Sequence, residues 1–172
     1  AKTNVKQLSE LISAETPLIG LEPSALLSFR DEYLRLNDFD NASTELAQHC
    51  YLIEEFIADE YAAGHIKSSQ FSSAETHIKI HTHCHQKALS NSKVTFDMLN
   101  IPKNYNPRLI SAGCCGMAGS FGYEKEHFKV SQDIGELHLI PSLRKIDKQT
   151  RVAANGTSCR HQIKDATAII AE

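Results

Sequence analysis

Three strand-like runs in this chain each lead into a loop that carries cysteine. In order, the loops hold Cys84, then the adjacent pair Cys114 and Cys115, then Cys159. Helical patterns separate the runs, so we expect crossover connections and an α/β fold with a mostly parallel sheet and flanking helices. Because the carboxyl ends of parallel strands meet at one edge of a sheet, the four thiols should come together there.

The rest of the chain is predicted to pack around this sheet as one domain. Residues 17–21 are predicted to form a short buried strand, and Pro23 suits the first position of a helix. The clearest helical stripe joins Leu46, Cys50, Ile53, Ile57 and Tyr61. Cys50 lies on that stripe and is expected to be a small buried hydrophobe. Another helix is predicted from Gln86 to about Leu99.

The loop that holds the two adjacent cysteines is rich in glycine. Gly113 and Gly116 flank the cysteine pair and Gly119 follows. These glycines are the candidate cofactor-binding residues, because they let the backbone wrap closely and present N–H groups to a ligand. Thiolates favour zinc and iron–sulfur clusters. Adjacent thiolates diverge, which suits a cluster with several irons better than one ion.

Several alternatives to an iron–sulfur centre stay open at the level of sequence. The pair could be two buried thiols, a strained vicinal disulfide, or a thiol pair active in redox exchange. A structural zinc site could combine the cysteines with His83 or His85. We expect His81 to hydrogen-bond nearby groups without binding metal, and His161, beside Cys159, to support a ligand from outside the coordination sphere.

Composition excludes several classes of function. The net charge is -3, which provides no basic face for nucleic acid. No apolar run approaches ~20 residues, so no transmembrane helix is predicted. Five cysteines in a chain of 172 residues do not suggest a disulfide framework, and a reducing, cytoplasmic setting is expected. Neither a phosphate-binding loop nor a dinucleotide fingerprint is present.

The cysteine pattern resembles the cysteine-rich CCG domain. That domain occurs in a subunit of heterodisulfide reductase and in the iron–sulfur subunits of glycolate oxidase and anaerobic glycerol-3-phosphate dehydrogenase. The resemblance is closer still to the C-terminal region of large FAD-linked oxidases of the D-lactate and D-2-hydroxyglutarate dehydrogenase type. The matching segments are Gly20-Leu21-Glu22-Pro23-Ser24, Arg30-Asp31-Glu32-Tyr33, His83-Cys84-His85-Gln86-Lys87, Gly113-Cys114-Cys115-Gly116-Met117-Ala118-Gly119 and Ser158-Cys159-Arg160.

This resemblance implies an electron-transfer domain of a flavin-linked 2-hydroxy-acid oxidoreductase. Its metal ligands would be Cys84, Cys114, Cys115 and Cys159, holding a 4Fe–4S cluster, with zinc as the alternative. FAD would bind another part of the parent chain. The partners would be flavin and ferredoxin-like domains, which could also hold the protein at the inner face of the membrane.

The resemblance also implies how the chain is divided. The start, Ala1-Lys2-Thr3-Asn4, looks cut, so a C-terminal piece of a longer protein is expected. Residues 1–40 would end a first CCG-like repeat, residues 41–76 would be a helix and linker, and residues 77–172 would hold most of the second repeat. The family motif ends in C-x-x-C, whereas Gly156 stands at the first of those cysteine positions here.

Overall fold

The computed structural model describes residues 1–172, and its strands form two small parallel sheets. The first sheet pairs β1 (Leu18–Gly20) with β2 (Cys50–Leu52). The second has the order β4-β3-β5, with β3 at Thr76–His81, β4 at Tyr105–Leu109 and β5 at Arg151–Ala154. Every pairing is parallel and helices flank both sheets, so the predicted fold class is confirmed.

Ten α-helices surround the strands. They are α1 (Lys2–Ser9), α2 (Pro23–Leu26), α3 (Glu32–Leu36), α4 (Asn41–Gln48), α5 (Ile53–Ala62), α6 (Cys84–Leu89), α7 (Ser92–Leu99), α8 (Phe128–Leu137), α9 (Leu139–Leu143) and α10 (Thr157–Thr167). Short 3₁₀ turns cover Leu27–Arg30, Ser68–Gln70 and Phe121–Tyr123. None of these helices has the length and hydropathy needed to cross a bilayer.

The order of the second sheet follows from its sequence. Ile78 and Ile80 of β3 are 4% and 1% exposed, as expected for β-branched residues of a central strand. β4 contains Pro107, which cannot donate a ladder hydrogen bond and therefore suits an edge strand. Register pairs Ile80 with both Leu109 and Ala153, so the carboxyl ends of all three strands lie level at one edge.

The single helical stripe predicted from Leu46 to Tyr61 is wrong. α4 ends at Gln48, β2 follows directly, and α5 begins at Ile53. Cys50 and Leu52 are fully buried because β2 pairs with β1. An apolar spacing of three and four residues cannot distinguish one helix from a helix and a strand whose buried residues fall at the same intervals. The burial predicted for Cys50 is confirmed.

The helix predicted from Gln86 to Leu99 is also interrupted. α6 ends at Leu89, and α7 begins after Asn91, whose side chain accepts a hydrogen bond from the Lys93 amide at 2.8 Å. Asparagine at this position is a common helix N-cap. By contrast, Pro23 opens a helix as predicted, and the strand-like run before Cys159 forms β5.

Two hydrophobic clusters support the two sheets. One includes Cys50, Leu46 and Leu52 beside the first sheet, and the other includes Leu139, Ile140 and Ile163 beside the second. Polar contacts join the halves. The Glu22 carboxylate accepts a hydrogen bond from the Thr157 amide at 2.8 Å, so it supports the start of α10. The division into repeats remains a prediction.

Candidate metal centre

The cysteines predicted from sequence lie at the carboxyl ends of the three strands of the second sheet. Cys84 opens α6 just after β3, and Cys114 and Cys115 lie in the loop after β4. Cys159 lies in the first turn of α10, just after β5. The level ends of the strands therefore bring three separate loops to one place, as expected.

The four thiols form a continuous array. Neighbouring thiols interact in the order Cys84, Cys114, Cys115 and Cys159, since each influences the ionisation of the next. The array runs inward from the surface, since Cys84 and Cys114 are partly exposed whereas Cys115 and Cys159 are 2% and 1% exposed. All five cysteines of the chain are free thiols, so no vicinal disulfide joins the pair.

His81 stands at the buried end of this array. One ring nitrogen of His81 and the sulfurs of Cys115 and Cys159 all lie within 4.8 Å of one another. The side chain is 1% exposed, and neither ring nitrogen has a hydrogen-bond partner. Leaving a buried polar group unpaired costs roughly 1–3 kcal/mol. An imidazole and two thiolates are ligands that suit zinc or iron, so this donor set fits a bound metal.

The electrostatics of the array also fit a cation. Hydrogen bonds from neighbouring thiols, with Cys115 the largest contributor, lower the pKa of Cys114 and of Cys159. The hydrogen bond with Cys114 raises the pKa of both Cys84 and Cys115. Ionisation of one thiol therefore opposes ionisation of the next. A cation bound among them would favour the thiolate form of all four.

The three candidate glycines differ in what their positions require. Gly116 has φ +104°, and a Cβ there would lie 2.0 Å from the Ser131 carbonyl oxygen, so only glycine fits. Its amide donates to Cys114 Sγ at 3.2 Å, in keeping with the expected role of backbone N–H groups. Gly119 has φ +68° with open space around it, and Gly113 has open space and no positive φ.

Two further contacts hold the loops in place. Lys87 of α6 donates to the carbonyl oxygens of Ala112 and Gly113 at 2.8 and 2.9 Å, which ties the Cys84 helix to the double-cysteine loop. The His83 amide donates to Asn155 Oδ1 at 3.2 Å, which ties the end of β3 to the end of β5.

Gly156 stands where the resembling family has a further cysteine, and the structure shows what fills that space. A Cβ at Gly156 would lie 2.4 Å from Cδ2 of His83 and 3.3 Å from the sulfur of Cys159. The His83 ring therefore occupies the space that the side chain of a cysteine at position 156 would need. His83 itself acts as the N-cap of α6, with Nδ1 accepting from the His85 amide at 3.1 Å.

The other histidines contribute less to the array. His85 stacks on His83 with 5.3 Å between ring centroids, and neither belongs to the group of donors around Cys115. His161 bonds the Tyr123 hydroxyl at 2.5 Å. His81 was expected to hydrogen-bond nearby groups without binding metal, but neither ring nitrogen has a hydrogen-bond partner and one of them belongs to the group of possible metal donors. Its position near Cys159 follows from the register of β3 with β5, which pairs His81 with Ala154.

Comparison with known proteins gives several relatives of low identity. The chain is 27% identical over its full length to a subunit of the anaerobic glycerol-3-phosphate dehydrogenase of Escherichia coli K12, and spans 42% of that protein. It is 28% identical over 95% of its length to the D-2-hydroxyglutarate dehydrogenase of Pseudomonas putida, and spans 15% of it. The corresponding enzyme of Pantoea ananatis is also 28% identical over 91% of the chain, again covering 15% of the relative.

The chain thus spans less than half the length of the curated relatives that it matches. No family model matches it, and no solved structure gives a significant match. The region aligned with the Escherichia coli subunit covers the whole chain and therefore both sheets. This chain is therefore related to a part of larger dehydrogenases and their subunits, and it carries a cluster of donors that could bind a metal.

Proposed function

We propose that this chain is an electron-transfer domain that holds an iron–sulfur centre within a flavin-linked 2-hydroxy-acid dehydrogenase. Cys84, Cys114, Cys115 and Cys159 are the proposed ligands, which provides one thiolate for each iron of a 4Fe–4S cluster. The convergence of these thiols from three strand ends is the observation that carries the proposal. A bound cluster would supply reversible one-electron oxidation and reduction.

The names of the relatives support the proposal that this chain belongs to a dehydrogenase. Both named classes of relative are dehydrogenases or dehydrogenase subunits, and they are longer than this chain. FAD would bind a different part of such a protein, with flavin and ferredoxin-like domains as partners. Cys84 and Cys114, which are partly exposed, would lie on the side that faces those partners, and this would allow electrons to enter or leave over a short distance.

A test of the ligand set uses single cysteine substitutions. Each of the four Cys→Ser variants, reconstituted anaerobically with iron and sulfide, should lose most of the absorption at roughly 400 nm that an iron–sulfur cluster shows. Cys50→Ser is the matched control, because Cys50 is buried in the other core cluster. Equal colour in all five variants would count against the proposal.

A structural zinc domain is the second candidate, and one observation favours it. Three donors already lie at distances suited to one ion, namely His81, Cys115 and Cys159. A fourth ligand from Cys114 would complete a Cys₃His site of the structural type. Such a site would be redox-silent and would fix the strand ends for docking. Metal analysis of protein purified without added iron distinguishes the two candidates.

A further inference from the structure

Lys87 is a cation without a carboxylate partner, and it lies near the partly exposed end of the thiol array. It follows Cys84 by three residues on α6, so the two side chains lie on one face of that helix. None of the salt bridges of the chain includes it. The three N–H donors of its ammonium group are therefore available for other acceptors.

The acceptors that Lys87 uses are backbone carbonyl groups of the double-cysteine loop. Its Nζ donates to the oxygens of Ala112 and Gly113 at 2.8 and 2.9 Å, directly before Cys114 in the sequence. No other hydrogen bond joins α6 to the backbone of this loop. A single side chain thus connects the helix that carries Cys84 with the segment that carries Cys114.

The backbone of this segment has few other restraints. The amides of Gly113, Cys114 and Cys115 donate to no acceptor in the chain. Beyond the cysteine pair, Gly116 packs against the Ser131 carbonyl oxygen of α8. The segment is therefore fixed to α8 at one end, and its position relative to α6 depends on Lys87.

The junction between the Cys84 and Cys159 loops is built differently. Asn155, four residues before Cys159, accepts from the His83 amide at 3.2 Å and donates to Gln86 Oε1 at 2.7 Å, so it bonds residues on either side of Cys84. Gln86 is 0% exposed. A buried network fixes that junction, whereas an exposed lysine fixes the junction with Cys114.

We infer that Lys87 is a positioning residue of the metal centre, which holds the Cys84 helix against the double-cysteine loop so that Cys84 and Cys114 meet one metal centre together. Thiols that are already in place bind with less loss of conformational entropy. The charge of Lys87 acts in the same direction, since the Cys114 thiol and burial raise the pKa of Cys84 and Lys87 opposes this rise. This role rests on the proposed function for the kind of centre bound, but the geometry of the loop can be tested without metal.

Cross-linking of the metal-free chain tests the geometry. A short reagent with two thiol-reactive groups should join Cys84 to Cys114, because these thiols are partly exposed whereas Cys115 and Cys159 are buried. The quantity measured is closure onto the second thiol relative to attachment at the first, with the joined peptides identified by mass spectrometry. Lys87→Met removes the donors and should lower closure at least about fivefold, because two hydrogen bonds are lost.

Two further variants control this measurement. Lys87→Arg keeps both the charge and the donors, so closure should stay within about twofold of the wild type. Lys93→Met removes an exposed lysine from α7 that pairs with Asp97, and it should leave closure unchanged.

The chain reconstituted anaerobically with iron and sulfide gives the readout on the metal centre. Release of iron to a chelator should be at least about tenfold faster from Lys87→Met than from the wild type, and Lys87→Arg should restore slow release. The reduction potential of Lys87→Met should be lower, because a nearby positive charge favours the added electron. This difference in potential should shrink as ionic strength rises.

Unchanged closure in Lys87→Met would overturn the inference, and so would equal rates of iron release from that variant and the wild type. An equal loss of closure in Lys93→Met, or no recovery in Lys87→Arg, would also contradict it. A wild-type chain that takes up no iron and sulfide would instead refute the proposed function, and the cross-linking comparison would then decide the role of Lys87 alone.

Discussion

His81 shows how a single buried side chain can be unfavourable for the fold and useful for a site. Its imidazole lies at the end of a central strand with no hydrogen-bond partner on either nitrogen. The sulfurs of Cys115 and Cys159 lie within 4.8 Å of one ring nitrogen, and they are the donors with which it could share an ion. Side chains that lower the stability of the fold in this way are expected at functional sites.

Replacing His81 with leucine should therefore have opposite effects on stability and on metal binding. The metal-free chain should gain roughly 1 kcal/mol in free energy of unfolding, since an unpaired buried polar group is removed. Zinc affinity, measured by competition with a chromophoric chelator, should fall at least about tenfold because a ligand is lost. His85→Leu, at a partly exposed imidazole outside the donor group, should leave the affinity unchanged. Unchanged zinc affinity in His81→Leu would exclude this histidine as a ligand.

Glu54 predicts a distinctive dependence of stability on pH. Burial is the main cause that raises the pKa of its carboxyl in the folded state. Its contribution to stability is therefore complete below the unfolded pKa of about 4.3 and is lost as pH rises through the higher folded value. Glu54→Gln lacks this loss, so its free energy of unfolding relative to that of the wild type should rise from about pH 4 toward neutrality.

Denaturant unfolding at several pH values measures this difference. Glu45→Gln, on the exposed face of α4, serves as the control and should follow the wild-type profile at every pH. A constant difference between Glu54→Gln and the wild type across the range would show that the Glu54 carboxyl has an ordinary pKa in the folded chain.

At the residue scale, the sequence identified the four thiols as possible ligands but did not identify His81 as one. Cysteines after strand-like runs are recognisable because thiols have few other roles in a reducing compartment. His81 looks like any strand histidine, since its significance comes from register with β5, 73 positions away along the chain. Pairing between distant strands is decided by tertiary packing, which local patterns do not report.

At the scale of elements, the double-cysteine loop is the best defined piece of local geometry. Its shape depends on Gly116, whose positive φ and contact with the Ser131 carbonyl oxygen of α8 leave no room for a side chain. The loop is thereby fixed against α8, and the Cys114 sulfur receives the Gly116 amide.

Gly116→Ala should destabilise the chain by at least about 2 kcal/mol, because backbone strain and a backbone clash add together. Gly113→Ala is a closely matched control in the same loop. Its Cβ would meet no atom within 4 Å, so a change within about 0.5 kcal/mol is expected. Thermal or denaturant unfolding gives both values, and equal effects of the two substitutions would contradict the geometry described for the loop.

Element boundaries show where sequence patterns stop being informative. β5 is recognisable in the sequence because its apolar residues stand between a charged turn and a loop that contains glycine. β2 was missed because it has only three residues, and these are recognisable as a strand only through their pairing with β1. The break between α6 and α7 carries a recognisable cap at Asn91, which could have been predicted from its side chain.

At the scale of the whole molecule, the parallel order β4-β3-β5 produces the candidate centre. Alternating strands and helices were enough to predict that the thiols would meet at one edge of a sheet. The number of sheets was not predictable, since two short strands form a separate sheet near the start of the chain. The relatives are dehydrogenases or dehydrogenase subunits that are longer than this chain, which spans 42% of one and 15% of another.

The most direct test of the central claim is the quantity of iron, acid-labile sulfide and zinc bound per chain after anaerobic purification and reconstitution. An iron–sulfur centre held by the four thiols predicts about four irons and four sulfides per chain, with little zinc. One zinc per chain without sulfide would contradict electron transfer and favour the structural site at His81, Cys115 and Cys159. Absence of both metals from the reconstituted protein would contradict a metal centre altogether.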